Sequence, residues 1–184
     1  MRGFIWGVTA ALTVGAAFAG TPERDKAWNS LIAEAKKHGG GAAGLTALNS
    51  LRLEQGVPWF GYDFGDKQIP HEAGLENSYI SYTKGCYTGQ EIVERVRSRG
   101  QVNRVRVSLE FGGDGEPVPG AALLAEGKEV GTVTRSGYSP LLKRNIGMGY
   151  LRREKSEPGS VVNLDDGTEV AVIMTPAEKE KTRE

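Results

Sequence analysis

Hydrophobic positions change their spacing a little over halfway along the chain. Trp28, Leu31, Ile32 and Ala35 fall at i, i+3, i+4 and i+7, one face of a helix. Thr21-Pro22 starts that helix as an N-cap with proline at the first helical position, and His38-Gly39-Gly40-Gly41 stops it. A second helix is predicted from about Gly44 to Gln55, with Leu45, Leu48 and Leu51 as its stripe and Gly56 as its stop. A third begins just after Cys86, where Thr88 and Glu91 make a capping box and Ile92, Val93 and Val96 supply an apolar face ending near Gly100. Beyond Gln101 the period becomes two: Val105, Val107, Leu109 and Phe111 alternate with Arg104, Arg106, Ser108 and Glu110. Short strands are predicted at Ala121–Ala125, Glu129–Arg135, Ile146–Leu151, Val161–Leu164 and Glu169–Met174, separated by Gly, Pro and Asp-Asp-Gly turns. Such regularly spaced short strands make a small antiparallel β-barrel.

Two stretches fit neither pattern. Val57 to Tyr82 is rich in aromatics, Gly and Pro, and reads as an ordered functional loop, because Trp59, Phe60, Tyr62 and Phe64 are poorly placed in water. At the start, Arg2 precedes an apolar run from Phe4 to Val14, and Ala17-Phe18-Ala19 supplies small residues for cleavage. That is the outline of a secretory signal peptide over residues 1–19; the alternative is a strand and small-residue helix of a longer domain. The run is too short to span a membrane. The fold class is therefore α+β, in four parts: a signal-like or remnant segment (1–20), a mixed helical half (21–101), a β-barrel (102–176) and a charged tail (177–184).

Composition narrows the function classes. Of 184 residues, 39% are hydrophobic and 25% charged, as in a globular protein. Lys plus Arg and Asp plus Glu both number 23, so no net charge steers the chain toward nucleic acid or an anionic membrane. One cysteine rules out an internal disulfide, and with two histidines there is no zinc-ligand cluster.

Two clusters carry candidate chemistry. Cys86 lies just before the third helix, where free N–H groups and Lys84 favour a thiolate, while Gly85 and Gly89 let the backbone turn tightly. Such a thiol is a nucleophile, a redox group or a metal ligand; the alternative is a small buried hydrophobe. In the second cluster, Arg52 offers a planar fork for a carboxylate, and the aromatics after it offer faces for a flat heterocycle. Alternatively, Arg52 and Glu54 are the exposed end of a helix and the aromatics are core. The arginines at 95, 97, 99, 104 and 106 suit phosphate or an ordinary solvated face, and offsetting Glu91 and Glu94 favour the latter.

Taken together, Leu51-Arg52-Leu53-Glu54-x-Gly56, Pro58-x-x-Gly61-x-Asp63 and Ile69-Pro70-x-Glu72-Ala73-Gly74-Leu75 resemble the glycine-cleavage T-protein (aminomethyltransferase) superfamily. Lys84-Gly85-Cys86-Tyr87-x-Gly89-Gln90-Glu91 resembles its tRNA-modification and iron–sulfur assembly branch. The likeness covers about Ala27 to Thr175. It implies a partial aminomethyltransferase-like folate-binding domain followed by the barrel, with tetrahydrofolate held by Arg52, Glu54, Tyr62, Tyr87 and Gln90. It further implies that Cys86, with Lys84, serves the assembly or repair of iron–sulfur enzymes. One thiolate cannot hold a cluster alone, so Cys86 would be a transient or shared ligand. The implied partners are iron–sulfur client enzymes or assembly proteins, with any tRNA contact indirect. The implied location is the cytoplasm, where a lone thiol stays reduced. Members of the superfamily are usually longer, with an N-terminal domain that supplies much of the folate pocket. A partner chain supplying that domain, a true aminomethyltransferase and an inactive remnant therefore stay open.

Overall fold

The computed structural model describes residues 21–100 and 102–174; the signal-like segment, Gln101 and the charged tail lie outside the described residues. The chain packs as two units, one up to Leu48 and one from Asn49 onward.

In the first unit, helix α1 (Pro22–Lys37) forms as the sequence predicts. Thr21 caps it by accepting from Arg24 N (3.3 Å), and Glu23 and Asp25 near its start and Lys36 and Lys37 near its end complement the helix dipole. None of its residues is buried, so the Trp28–Leu31 face is formed but uncovered.

Helix α2 (Leu45–Glu54) inverts the predicted stripe. Leu45 and Leu51 are 65% and 52% exposed, whereas Ser50, Arg52, Leu53 and Glu54 are buried. The inward face is thus mostly polar, and it is inward because Arg52 and Glu54 find hydrogen-bond partners far along the chain. The aromatic loop departs in the same sense: Phe60 and Tyr62 are 69% and 56% exposed rather than buried.

After a single-turn helix α3 (Glu76–Tyr79), helix α4 runs from Gln90 to Arg99. Its N-cap is not Thr88 but Gly89, which adopts φ 89° and makes no side-chain cap. Only glycine takes that left-handed conformation cheaply, so the Thr88–Glu91 capping box does not form. Of the predicted apolar face, Val93 is buried and Ile92 is exposed.

Six strands follow: β1 (Arg104–Phe111), β2 (Ala122–Ala125), β3 (Lys128–Ser139), β4 (Arg144–Arg152), β5 (Val161–Asn163) and β6 (Glu169–Ile173). All pair antiparallel and close in the order β1-β4-β3-β2-β5-β6, the predicted barrel. Alternation on β1 sends Val107, Leu109 and Phe111 into the interior, where they meet Leu123, Val133, Leu151, Val162 and Val170. Gly147 leaves the room this needs, since a Cβ there would lie 2.8 Å from the Phe111 ring and 2.4 Å from Arg135 O.

The other face of β1, β4 and β3 is also covered. Leu53 packs on Ile146 and Met148, Arg106 N donates to Glu72 O (2.8 Å), and Asn49 Nδ2 donates to Ser136 O (2.9 Å). Residues 49–75 therefore form a lid over one barrel wall, and the buried polar groups lie beneath it.

Candidate ligand-binding site

The lid is fastened by Arg52. Its Nη1 donates to Asp63 Oδ2 (2.5 Å) and Val57 O (3.2 Å), and its Nε donates to Asn49 Oδ1 (3.0 Å). The two ionic side chains are 3% and 0% exposed. Asp63 also accepts from Trp59 N (2.8 Å) and from Thr134 Oγ1 (2.9 Å). Thr134 sits where the β3–β4 register shifts between Val133 and Arg135, and that irregularity turns its hydroxyl toward the lid. Burial lowers the Arg52 pKa, with Arg135 and Arg106 adding repulsion and Asp63 opposing them. A guanidinium starts so far above neutrality that it stays charged.

A cationic and aromatic surface adjoins this pair. The Arg52 guanidinium stands 5.1 Å from the Trp59 ring, Trp59 lies 6.1 Å from Tyr62, and Arg135 covers Tyr62 at 4.8 Å. Beneath the lid, Arg52 Nη2, Tyr150 Oη and Ser108 Oγ are buried without a hydrogen-bond partner. Burial pushes the Tyr150 hydroxyl up to about 12, against the pull of Arg106.

The predicted site residues fall into two places. Arg52 and Tyr62 belong to the surface just described. Glu54 is spent on structure: its Oε1 accepts from Ser139 Oγ (2.6 Å) and Leu141 N (3.1 Å), tying α2 to the β3–β4 turn. Cys86, Lys84, Tyr87 and Gln90 lie together on the segment before and into α4. Cys86 is exposed, Lys84 Nζ is 5.2 Å from the Tyr87 ring, and Tyr87 N donates to Gln90 Oε1 (3.2 Å). The reading of Cys86 as a buried hydrophobe is thereby excluded. The arginine run is mostly a solvated face: Arg95 and Arg97 pair with Glu91 and Glu94, and Arg104 with Glu72.

Asp63, Trp59, Thr134 and Arg135 were not singled out as site residues from the sequence. Asp63 and Trp59 stood inside a recognised motif; Thr134 and Arg135 are joined to it only by barrel closure. The described residues contain no group of three His, Cys, Asp or Glu side chains able to hold a metal. A resident iron–sulfur cluster does not fit that donor set. No helix among them is long and apolar enough to cross a membrane.

Comparison with known proteins gives this fold its class. Residues 104–178 match the glycine cleavage T-protein C-terminal barrel domain, and residues 19–82 match the GCVT N-terminal domain. With the N-terminal match preceding the barrel match along one chain, the two place it in the aminomethyltransferase superfamily. Among individual relatives, it is 37% identical over 142 residues to an aminomethyltransferase of Koribacter versatilis, covering 77% of this chain and 37% of that protein. It is 33% identical over 137 residues to an aminomethyltransferase of Halothermothrix orenii, covering 74% and 38%. The crystal structure of glycine cleavage system aminomethyltransferase T from Bartonella henselae matches with a TM-score of 0.68 and 26% identity. That match covers 74% of this chain and 40% of the other. The chain thus spans less than half the length of these relatives.

Proposed function

We propose that the chain is a tetrahydrofolate-binding module of an aminomethyltransferase, the enzyme that moves an aminomethyl unit onto that carrier. The supporting observation is the surface beside Arg52. Exposed Tyr62, tilted against Trp59 and covered by Arg135, offers a face for a flat heterocycle and a guanidinium for a carboxylate. The ring face and the guanidinium match in kind the heterocycle and the carboxylate of a folate. When bound, the folate supplies the one-carbon acceptor; the residues of this chain supply binding and orientation.

Calorimetric titration with tetrahydrofolate tests this. Saturable binding should weaken about tenfold, roughly 1.4 kcal/mol, in Tyr62→Ala and in Arg135→Gln. Arg52→Ala is a poor probe, because it strands buried Asp63. Folded protein that binds no tetrahydrofolate would overturn the reading.

A second reading is favoured by Cys86, exposed beside Lys84 in a Lys-Gly-Cys-Tyr-x-Gly-Gln-Glu segment. In it, the module assists iron–sulfur client enzymes, including tRNA-modifying ones, in the cytoplasm, with Cys86 as a transient thiolate. Client activity in cells that is unchanged by Cys86→Ala would sink that role.

A further inference from the structure

At the mouth of the barrel wall where β1 begins and β4 ends, Arg104 and Arg152 stand directly opposite one another across the antiparallel pair. Like charges in that position repel, with Cβ atoms only about 5 Å apart. Arg104 is compensated by Glu72 (3.2 Å). Arg152 and its neighbour Arg153 are both exposed and make no ion pair among the described residues. They line an open groove of about 1010 Å³, which Glu72, Glu154 and Glu157 also border. Neither Glu154 nor Glu157 comes within ion-pair distance of the two arginines. The wall thus holds a cross-strand pair of like charges of which only Arg104 has a carboxylate partner, and the guanidinium forks of Arg152 and Arg153 face solvent.

We propose that this groove is an oxyanion site, in which a carboxylate or phosphate group bridges Arg152 and Arg153 and screens Arg152 from Arg104. Guanidinium forks match either group through paired N–H donors. The bordering carboxylates disfavour a long polyanion and favour a ligand with one or a few anionic groups. The site is separate from the Tyr62 surface and does not depend on the folate reading.

Tripolyphosphate and tri-glutamate serve as probes, titrated calorimetrically into the whole chain at matched ionic strength. At least one should bind saturably, with a loss of tenfold or more in Arg152→Gln and in Arg153→Gln. The tighter probe identifies phosphate or carboxylate as the natural group. Without either probe at low salt, Arg152→Gln should melt above the wild type, because the repulsion is gone. No binding of either probe by folded protein, binding unaffected by both variants, or a lower melting temperature for Arg152→Gln would each overturn the proposal.

Discussion

Arg52 and Asp63, eleven residues apart, meet at 2.5 Å beneath the lid with almost no exposure. A buried ion pair gains little over a well-packed apolar pair, yet removing one partner leaves the other charge stranded. Arg52→Ala or Asp63→Ala should therefore cost about 3–5 kcal/mol, measured by urea unfolding. A loss below about 1 kcal/mol would mean that water reaches the pair.

Thr134 supplies Asp63 with a donor from the barrel. Thr134→Val keeps the shape and deletes the hydroxyl, so stability should fall by about 1–3 kcal/mol. In a double-mutant cycle with Asp63→Asn the two losses should be less than additive, because both act on one contact.

Tyr150 gives a pH signature. Its pKa is raised from 10.0 to about 12 on folding, so folding favours the neutral phenol. The associated stability is complete below pH 10 and is lost as pH rises toward 12. At about 1.4 kcal/mol per unit, the loss amounts to roughly 2–3 kcal/mol. Denaturant unfolding at several alkaline pH values should show wild type losing that much more than Tyr150→Phe. Parallel pH profiles for the two proteins would refute the assignment.

Gly147 sits on the interior side of β4, against the Phe111 ring and Arg135 O. Gly147→Ala should cost at least about 1–3 kcal/mol through overpacking, read as a lower melting temperature. Gly85→Ala, where nothing lies within 4 Å, should change it little.

The exposed thiol of Cys86 should react stoichiometrically with a thiol reagent in the native state. Cys86→Ala should leave the melting temperature unchanged. Labelling that requires denaturant would show that another surface covers it.

The barrel was legible in the sequence because alternation reports burial directly: Val107, Leu109 and Phe111 face inward as their spacing demands. Helix α2 was legible as a helix but not in its facing. Leucines at 45, 48 and 51 suggested an apolar stripe, whereas the buried side carries Arg52 and Glu54. Polar groups go inward only when distant partners satisfy them, and Asp63, Ser139 and Leu141 N are not identifiable from local pattern. The start of α4 failed for a smaller reason. Thr88-x-x-Glu91 fits a capping box, but the left-handed turn at Gly89 takes the cap position first. The Tyr62–Arg135 stack was invisible, since it joins a loop to a strand only after the barrel closes.

Closure of the barrel also fixes an order of assembly. β1 is paired on one side by β4 and on the other by β6, through Ser108–Phe111 against Val170–Ile173. Until the last of those residues leaves the ribosome, β1 and β5 each keep an unpaired edge, open to any extended chain nearby. A chain ending before Glu169 would keep the motif residues and the lid, yet carry two adhesive margins where the whole chain has a ring.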